Sequence, residues 1–430
     1  MCIYIKMSNA RILLGAKGEE DGYLTKDAKN TFFKKAYRTH SQFGQNWNVI
    51  TNNDKNTENN YSPGKKVYFR LPLEGDILKD TMLRFKLDLT EYYPLNLVNN
   101  PDTINNTNIG LLTAASLIKK ISLKNNDKII CSMDSNYIVN NEKLRSSSEK
   151  LARFVKMSSY IHNKDNRVID KYLNKSIVYI ALPLPFWFSK SPGSALPMWA
   201  LTDHNIGIEV ELSNYRSGNN GLPNTLTKFI HDVELLTNYG YLSQDEKIKF
   251  KNLPLEYVIE QVDIIDRITI QNLTDIKTKT ILPATHFVKH LMWNLIKKNQ
   301  IGNDQFMSQP GINNTSLSIN GNTILSNANS NFTSLINRYN YFNFPDLDLN
   351  NLSLNNSISN FYDQNIHVYS FCLNPDDYKL SGFVSTNKFN NTVLEIDIDN
   401  LSGQELELCI YQVKHNIIRI ENGIINILFN

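Results

Sequence analysis

Met82-Leu83-Arg84-Phe85-Lys86-Leu87-Asp88-Leu89 is the stretch from which the rest of the chain is read. Leu83, Phe85, Leu87 and Leu89 fall on one side of an extended backbone, and Arg84, Lys86 and Asp88 on the other. Alternation with period two belongs to a strand, so this segment is a half-buried antiparallel strand with one apolar face. Upstream, Val67–Leu71 is a second such run, and a Gly75-Asp76 turn lies between them. Comparable runs follow at Ile118–Leu123, Ile177–Leu182 and Ile206–Leu212. Past the midpoint they return at Val233–Leu236, Tyr257–Val262, Ile264–Ile270, Ser316–Ile319, His367–Leu373, Val393–Ile398 and Leu406–Val413. Many short strands at turn-marked intervals predict an all-β sandwich or barrel.

Helical spacing is scarce. Phe33 and Tyr37 are four apart within a basic segment, Lys26–His40, which reads as a short helix in an N-terminal arm, residues 1–47. Ser243-Gln244-Asp245-Glu246 fits a capping box and opens the one clear helix, with Pro254 beyond its end. Residues 48–66 are polar and turn-rich. Ser213–Thr225, rich in Gly, Asn and Pro at the middle of the chain, is the expected domain boundary. The expected architecture is two tandem eight-stranded antiparallel jelly rolls, residues 48–218 and 225–430, with few short helices. Gly311–Asn331, Asn/Ser/Gly-rich, reads as a long exposed loop.

The length of 430 residues exceeds what one hydrophobic core usually serves. Charged residues are 20% and apolar ones 41%, which excludes a disordered chain. A net charge of +3 argues against a dedicated nucleic-acid binder. Cys2, Cys131, Cys372 and Cys409 are scattered, with no C-x-x-C pair, so they read as reduced thiols rather than a disulfide or zinc framework. No phosphate-binding loop, dinucleotide fingerprint or nucleophile elbow is present. His286 and His290 lack the glutamate of a zinc protease motif, and on a strand they would lie about 13 Å apart. Glu395, Asp397 and Asp399 alternate with Leu394, Ile396 and Ile398, the pattern of a solvated outer face. No catalytic, cofactor-binding or metal-binding set is expected, and no enzyme activity.

Seven segments in order resemble the major capsid proteins of nucleocytoplasmic large DNA viruses, the double jelly-roll family. They are Tyr23-Leu24-Thr25 with Thr31–Lys34, Tyr37-Arg38, His40 and Phe43; the Val67–Leu87 hairpin; and Leu182-Pro183-Leu184-Pro185-Phe186-Trp187-Phe188 with Pro192-Gly193 and Ala195-Leu196-Pro197. Glu256-Tyr257 with Ile259-Glu260-Gln261 and His290-Leu291-Met292-Trp293 follow. Val368–Pro375 with Ser381-Gly382 and Asn387, then Asn416–Ile420 with Gly423, complete the set. Thr386-Asn387-Lys388 and the tail Ile424–Leu428 depart from the family pattern. Prolines 183, 185, 192 and 197 are expected at strand ends, and Phe186–Phe188 in the core or a subunit contact.

The resemblance implies a structural protein of the virion. Its homotrimer would be a pseudo-hexameric block that tiles an icosahedral shell. Its partners would be neighbouring blocks, minor and penton capsid proteins and, through the arm Lys26–His40, an internal viral membrane. Long polar loops such as Asn99–Gly110 and Gly311–Asn331 would project outward. Other readings are a minor, vertex or virophage capsid protein and, from a different class, a glycan-binding β-sandwich.

Overall fold

The computed structural model describes residues 40–52, 61, 64–88, 112–160, 167–170, 175–201, 205–213, 230–251, 255–271, 276–298, 310–342, 365–377, 379–399, 405–421 and 423–429. The first eight principal strands are β1 (Phe43–Thr51), β2 (Lys66–Arg70), β3 (Ile77–Asp88), β4 (Ile118–Asn125), β5 (Lys128–Asp134), β6 (Lys175–Pro183), β7 (Ile206–Leu212) and β8 (Ile230–Leu242). One sheet has the order β1-β8-β3-β6, with Arg167–Asp170 beyond β6, and the other β2-β7-β4-β5. The next eight are β9 (Leu255–Ile264), β10 (Ile276–Ile281), β11 (Val288–Lys297), β12 (Ile312–Ile319), β13 (Asn322–Asn329), β14 (His367–Ser370), β15 (Thr392–Ile398) and β16 (Leu406–Glu421). Their sheets run β9-β16-β11-β14 and β10-β15-β12-β13. Adding eight to each strand of the first pair of sheets gives the second pair. The same antiparallel jelly roll is therefore built twice.

This topology moves the expected boundary. Ser213–Thr225 does not separate the rolls; it falls in the connection from β7 to β8. β8 pairs with β1 and β3, so strand residues through Leu242 belong to the first roll. The residues after Leu242 carry α3 (Gln244–Lys251), the helix opened by Ser243, and lead into β9. The arm boundary at 47 and the polar segment from 48 also shift. Phe43–Thr51 is one edge strand, and because its side chains are largely exposed it lacks the alternation that marks a half-buried strand. The Thr31–Tyr37 helix, the Asn99–Gly110 loop and Pro254 lie outside the described residues.

Gly311–Asn331 is a hairpin of β12 and β13 and not a loop. Asn320 (φ 52°) and Gly321 (φ 81°) make its tight turn, which needs positive φ at both positions. Ile312, Leu317 and Ile319 face inward between polar neighbours, so the Asn/Ser content is the exposed side of a strand. The run Ile264–Ile270 divides: Ile264 ends β9, and Ile268–Ile270 pairs separately with β16. His367–Leu373 is strand only to Ser370.

Leu83, Phe85 and Leu87 are fully buried, as their alternation predicts. Phe186 and Phe188 stack at 5.3 Å in the core, and Trp187 meets Phe188 edge-on. Pro183 ends β6, and Pro192 and Pro197 start short 3₁₀ turns. The Gly75-Asp76 turn packs against Tyr239, whose Cβ would lie 2.5 Å from any Cβ at position 75. Asp76 accepts from the Leu242 backbone N–H at 2.8 Å and pairs with Lys247 of α3 at 2.9 Å. The acidic face of β15 meets a basic one on β10: Glu395 pairs with Lys279 at 3.1 Å, and Asp397 with Lys277 at 3.9 Å.

Candidate functional site

The connection from β5 to β6 carries α1 (Ser135–Arg145) and α2 (Ser148–Ser158), and α1 is where the rolls meet. Its sequence has no apolar stripe, yet every residue from Ser135 to Leu144 is buried. A helix without one apolar face can be buried throughout only if it is covered on several sides. Tyr137, Ile138, Val139 and Leu144 join the core of the first roll. On the other side Asn136 donates to Asn294 of β11 (3.1 Å) and to the Tyr411 hydroxyl of β16 (2.8 Å).

The sheet facing α1 is buried on both faces. Leu291, Trp293 and Leu295 of β11, with Leu408 and Ile410 of β16, point into the second roll's own core. Met292, Ile296, Cys409, Tyr411 and Val413 point the other way and are continuous with the first roll's core. Phe43–Asn430 accordingly forms one compact unit.

Two polar locks cross this apolar seam. The first is Asp134, which caps α1 by accepting from the Tyr137 N–H at 2.8 Å. Its other oxygen accepts from the Tyr411 hydroxyl at 3.0 Å and from Arg267 at 3.2 Å, both in the second roll. Asp134→Ala removes the cap and leaves a buried hydroxyl short of a partner. It should cost about 2–3 kcal/mol in denaturant unfolding. In a Tyr411→Phe background the same change should cost less, because the two groups share a bond.

The second lock is Glu260 of β9. It pairs with Arg145 at the end of α1 (3.3 Å), with Lys190 (2.5 Å) and with Lys289 of β11 (3.0 Å). Arg145 also pairs with Asp376 at 3.3 Å. Two of the three cations come from the first roll and the carboxylate from the second. The Glu260 side chain is 10% exposed and that of Lys289 3%. Burial raises the Glu260 pKa, but Arg145, Lys190 and Lys289 outweigh it and hold the carboxyl well below its usual range. Gln261 adds a bond from its amide to the Ile130 carbonyl at 2.5 Å. A cleft of about 460 Å³, lined in part by Arg145, Lys190 and Asp376, borders this lock on one side.

This seam is not legible in the sequence. Its only local signal is Asp134 ahead of Ser135-Asn136-Tyr137, an N-cap without an apolar stripe behind it. His286 and His290 are not brought into a common site: His286 lies before β11 beside Asn387 and Phe429, whereas His290 is buried in β11 against Phe342. Among the described residues no group of three His, Cys, Asp or Glu is placed to hold a metal.

The family described as "Major capsid protein N-terminus" matches residues 31–242, and "Large eukaryotic DNA virus major capsid protein" matches residues 246–426. The chain belongs to the major capsid protein family of large eukaryotic DNA viruses. The two matches meet where the strands pass from the first roll to the second.

Among relatives of this capsid protein, the major capsid protein of Pyramimonas orientalis virus is 22% identical, over 97% of this chain and 98% of its own length. That of Paramecium bursaria Chlorella virus 1 is 24% identical over 65% of this chain and 59% of its own. The solved structure of PBCV-1 VP54 superposes with a TM-score of 0.71 at 17% identity, covering 93% of this chain and all of that one. The Faustovirus major capsid protein gives 0.62 at 10% identity, covering 94% of each chain. These likenesses place the capsid protein in the double jelly-roll fold. Its role is that of a structural component of the viral capsid. Several motifs that carried the resemblance also build the seam: Glu260-Gln261, His290–Trp293 and the Phe186–Phe188 run that leads to Lys190.

Proposed function

We propose that this capsid protein acts as a homotrimer, a six-cornered block that tiles the icosahedral shell of a large DNA virus and is assembled in the host cytoplasm. What supports this reading is the repeated strand order of two rolls locked through α1. Each chain offers two corners of like construction, so threefold association presents six. The block acts by shape and stiffness, without catalysis. Its partners are neighbouring blocks and minor and penton capsid proteins.

Connections after odd-numbered strands leave one end of each roll, and those after even-numbered strands the other. The longest connections, β3–β4 and β5–β6 in the first roll and β13–β14 in the second, share the odd-numbered end. That end, with Asn99–Gly110, is the one assigned to the outside of the shell. The Asn320-Gly321 turn belongs to the opposite end. The basic arm Lys26–His40 faces inward, toward a membrane or minor capsid proteins.

Light scattering on the purified chain should give three times its mass of 49.4 kDa, with six-sided particles by electron microscopy. A monomer at micromolar concentration would contradict the trimer. Charge reversal at Lys34, Lys35 and Arg38 should leave that trimer mass unchanged and sharply lower the yield of closed shells. Wild-type shell yield would remove the arm from the account.

A further inference from the structure

Two buried histidines lie beside the Glu260 lock and take no part in it as described so far. His415 of β16 is directly opposite Glu260 of β9 in the strand register and is 6% exposed. His290 of β11 is 2% exposed, and its Nδ1 has no hydrogen-bond partner among the described residues. It alternates with Met292 and Asn294, so it is on the face that meets the first roll. Both histidines face the same charges: Arg145 from α1, Lys190 from beyond the Trp187 turn, Lys289 from β11 and Glu260 from β9. Asp376, bound to Arg145, is the second carboxylate of the group.

Below about pH 6.5, where Lys190 is charged, the cluster without its histidines sets three cations against two carboxylates. Protonating both histidines would set five against two, in a site with little water to screen them. Part of the added repulsion falls between rolls, from Arg145 and Lys190 against the two histidines, and the rest comes from Lys289 within the second roll. The cleft reaches Arg145, Lys190 and Asp376 at the edge of the cluster.

We propose that the seam is an acid-sensitive latch, in which protonation of His290 and His415 loosens the second roll from α1 while each roll stays folded.

The sign follows from the shifts. Burial first, then Lys289, push His415 down to about 4, and burial with Arg145 and Lys289 holds His290 well below its ordinary value. A histidine exposed by opening titrates near 6.5. Between these values the open seam binds the proton and the closed seam does not, so closure weakens as pH falls from about 6.5 to about 4. Above 6.5 the histidines contribute no pH dependence. Glu260 is lost only below about 4.5, so the window from 6.5 to 4.5 isolates the histidines. Lys190 is pushed down to about 7, by burial and by Arg145, and is charged throughout that window.

Hydrogen exchange on the full chain, corrected for the intrinsic pH dependence of exchange, tests this directly. The opening constant for Ser135–Ser146 should rise up to about tenfold per pH unit for each histidine below pH 6.5, reaching about 150-fold from His415 alone by pH 4. Protection in β3 and β15 should stay near its neutral-pH level. His415→Gln with His290→Gln should flatten the rise in α1. Unchanged α1 protection down to pH 4.5 would overturn the proposal. So would loss of protection in step with β3 and β15, or a wild-type acid profile in the double variant. If the double variant does not fold, the wild-type profile in α1 against β15 decides alone.

Discussion

Glu260→Gln should destabilise the chain by about 3–5 kcal/mol, measured by denaturant unfolding at neutral pH. Removing one partner of a buried ion pair leaves the other charge without compensation in a poor solvent. Here a single carboxylate serves Arg145, Lys190 and Lys289, and Asp376 relieves only Arg145. The glutamine keeps the shape and two hydrogen-bonding atoms, so the loss reports charge. Lys289 should dominate it, being 3% exposed, whereas Lys190 retains 22% exposure and can turn to water. Glu260→Gln with Lys289→Met should recover part of the loss, because the second change removes the stranded charge. A loss below 1 kcal/mol would mean that water reaches the cluster freely.

Phe186→Ala should cost a similar amount, about 3–5 kcal/mol, for a different reason. Phe186 is fully buried and stacked on Phe188, with Trp187 turned edge-on against that second ring. The prolines on either side restrict the backbone, so the surroundings have little freedom to close over the void. Phe186→Leu fills most of that space and should cost no more than about 1.5 kcal/mol. Equal losses for the two substitutions would show that the ring does not fill the core as described.

What could be read from the chain was whatever one strand face records locally. Leu83, Phe85 and Leu87, or Leu394, Ile396 and Ile398, alternate with charged residues because one sheet face is wet. Where that asymmetry is missing, so is the signal. β1 is an exposed edge, and its polar residues resemble a loop. β12 and β13 spend Asn and Ser on their open side, although Asn320-Gly321 is a hairpin signal in its own right. α1 is the reverse case: covered on several sides, it needs no apolar stripe. The end of the first roll is not legible because the most loop-like stretch joins β7 to β8, and only strand pairing shows that β8 returns to β1 and β3.

The seam was the least legible part. Glu260 meets Lys190 across 70 positions and Arg145 across 115, and Asp134 meets Tyr411 across 277. Nothing local in the sequence ties such residues together. They are found only once α1 is seen between the rolls. Glu260 and Gln261 did fall within a family-like motif, but as signature residues without a role.

The central claim is that a continuous apolar core and two polar locks make the two rolls one stiff unit. Differential scanning calorimetry of the intact chain at neutral pH tests it most directly. The account predicts one cooperative transition in the wild type, with calorimetric and van't Hoff enthalpies in agreement, and two transitions once Glu260 is replaced by Gln. Two well-separated transitions in the wild type would contradict it.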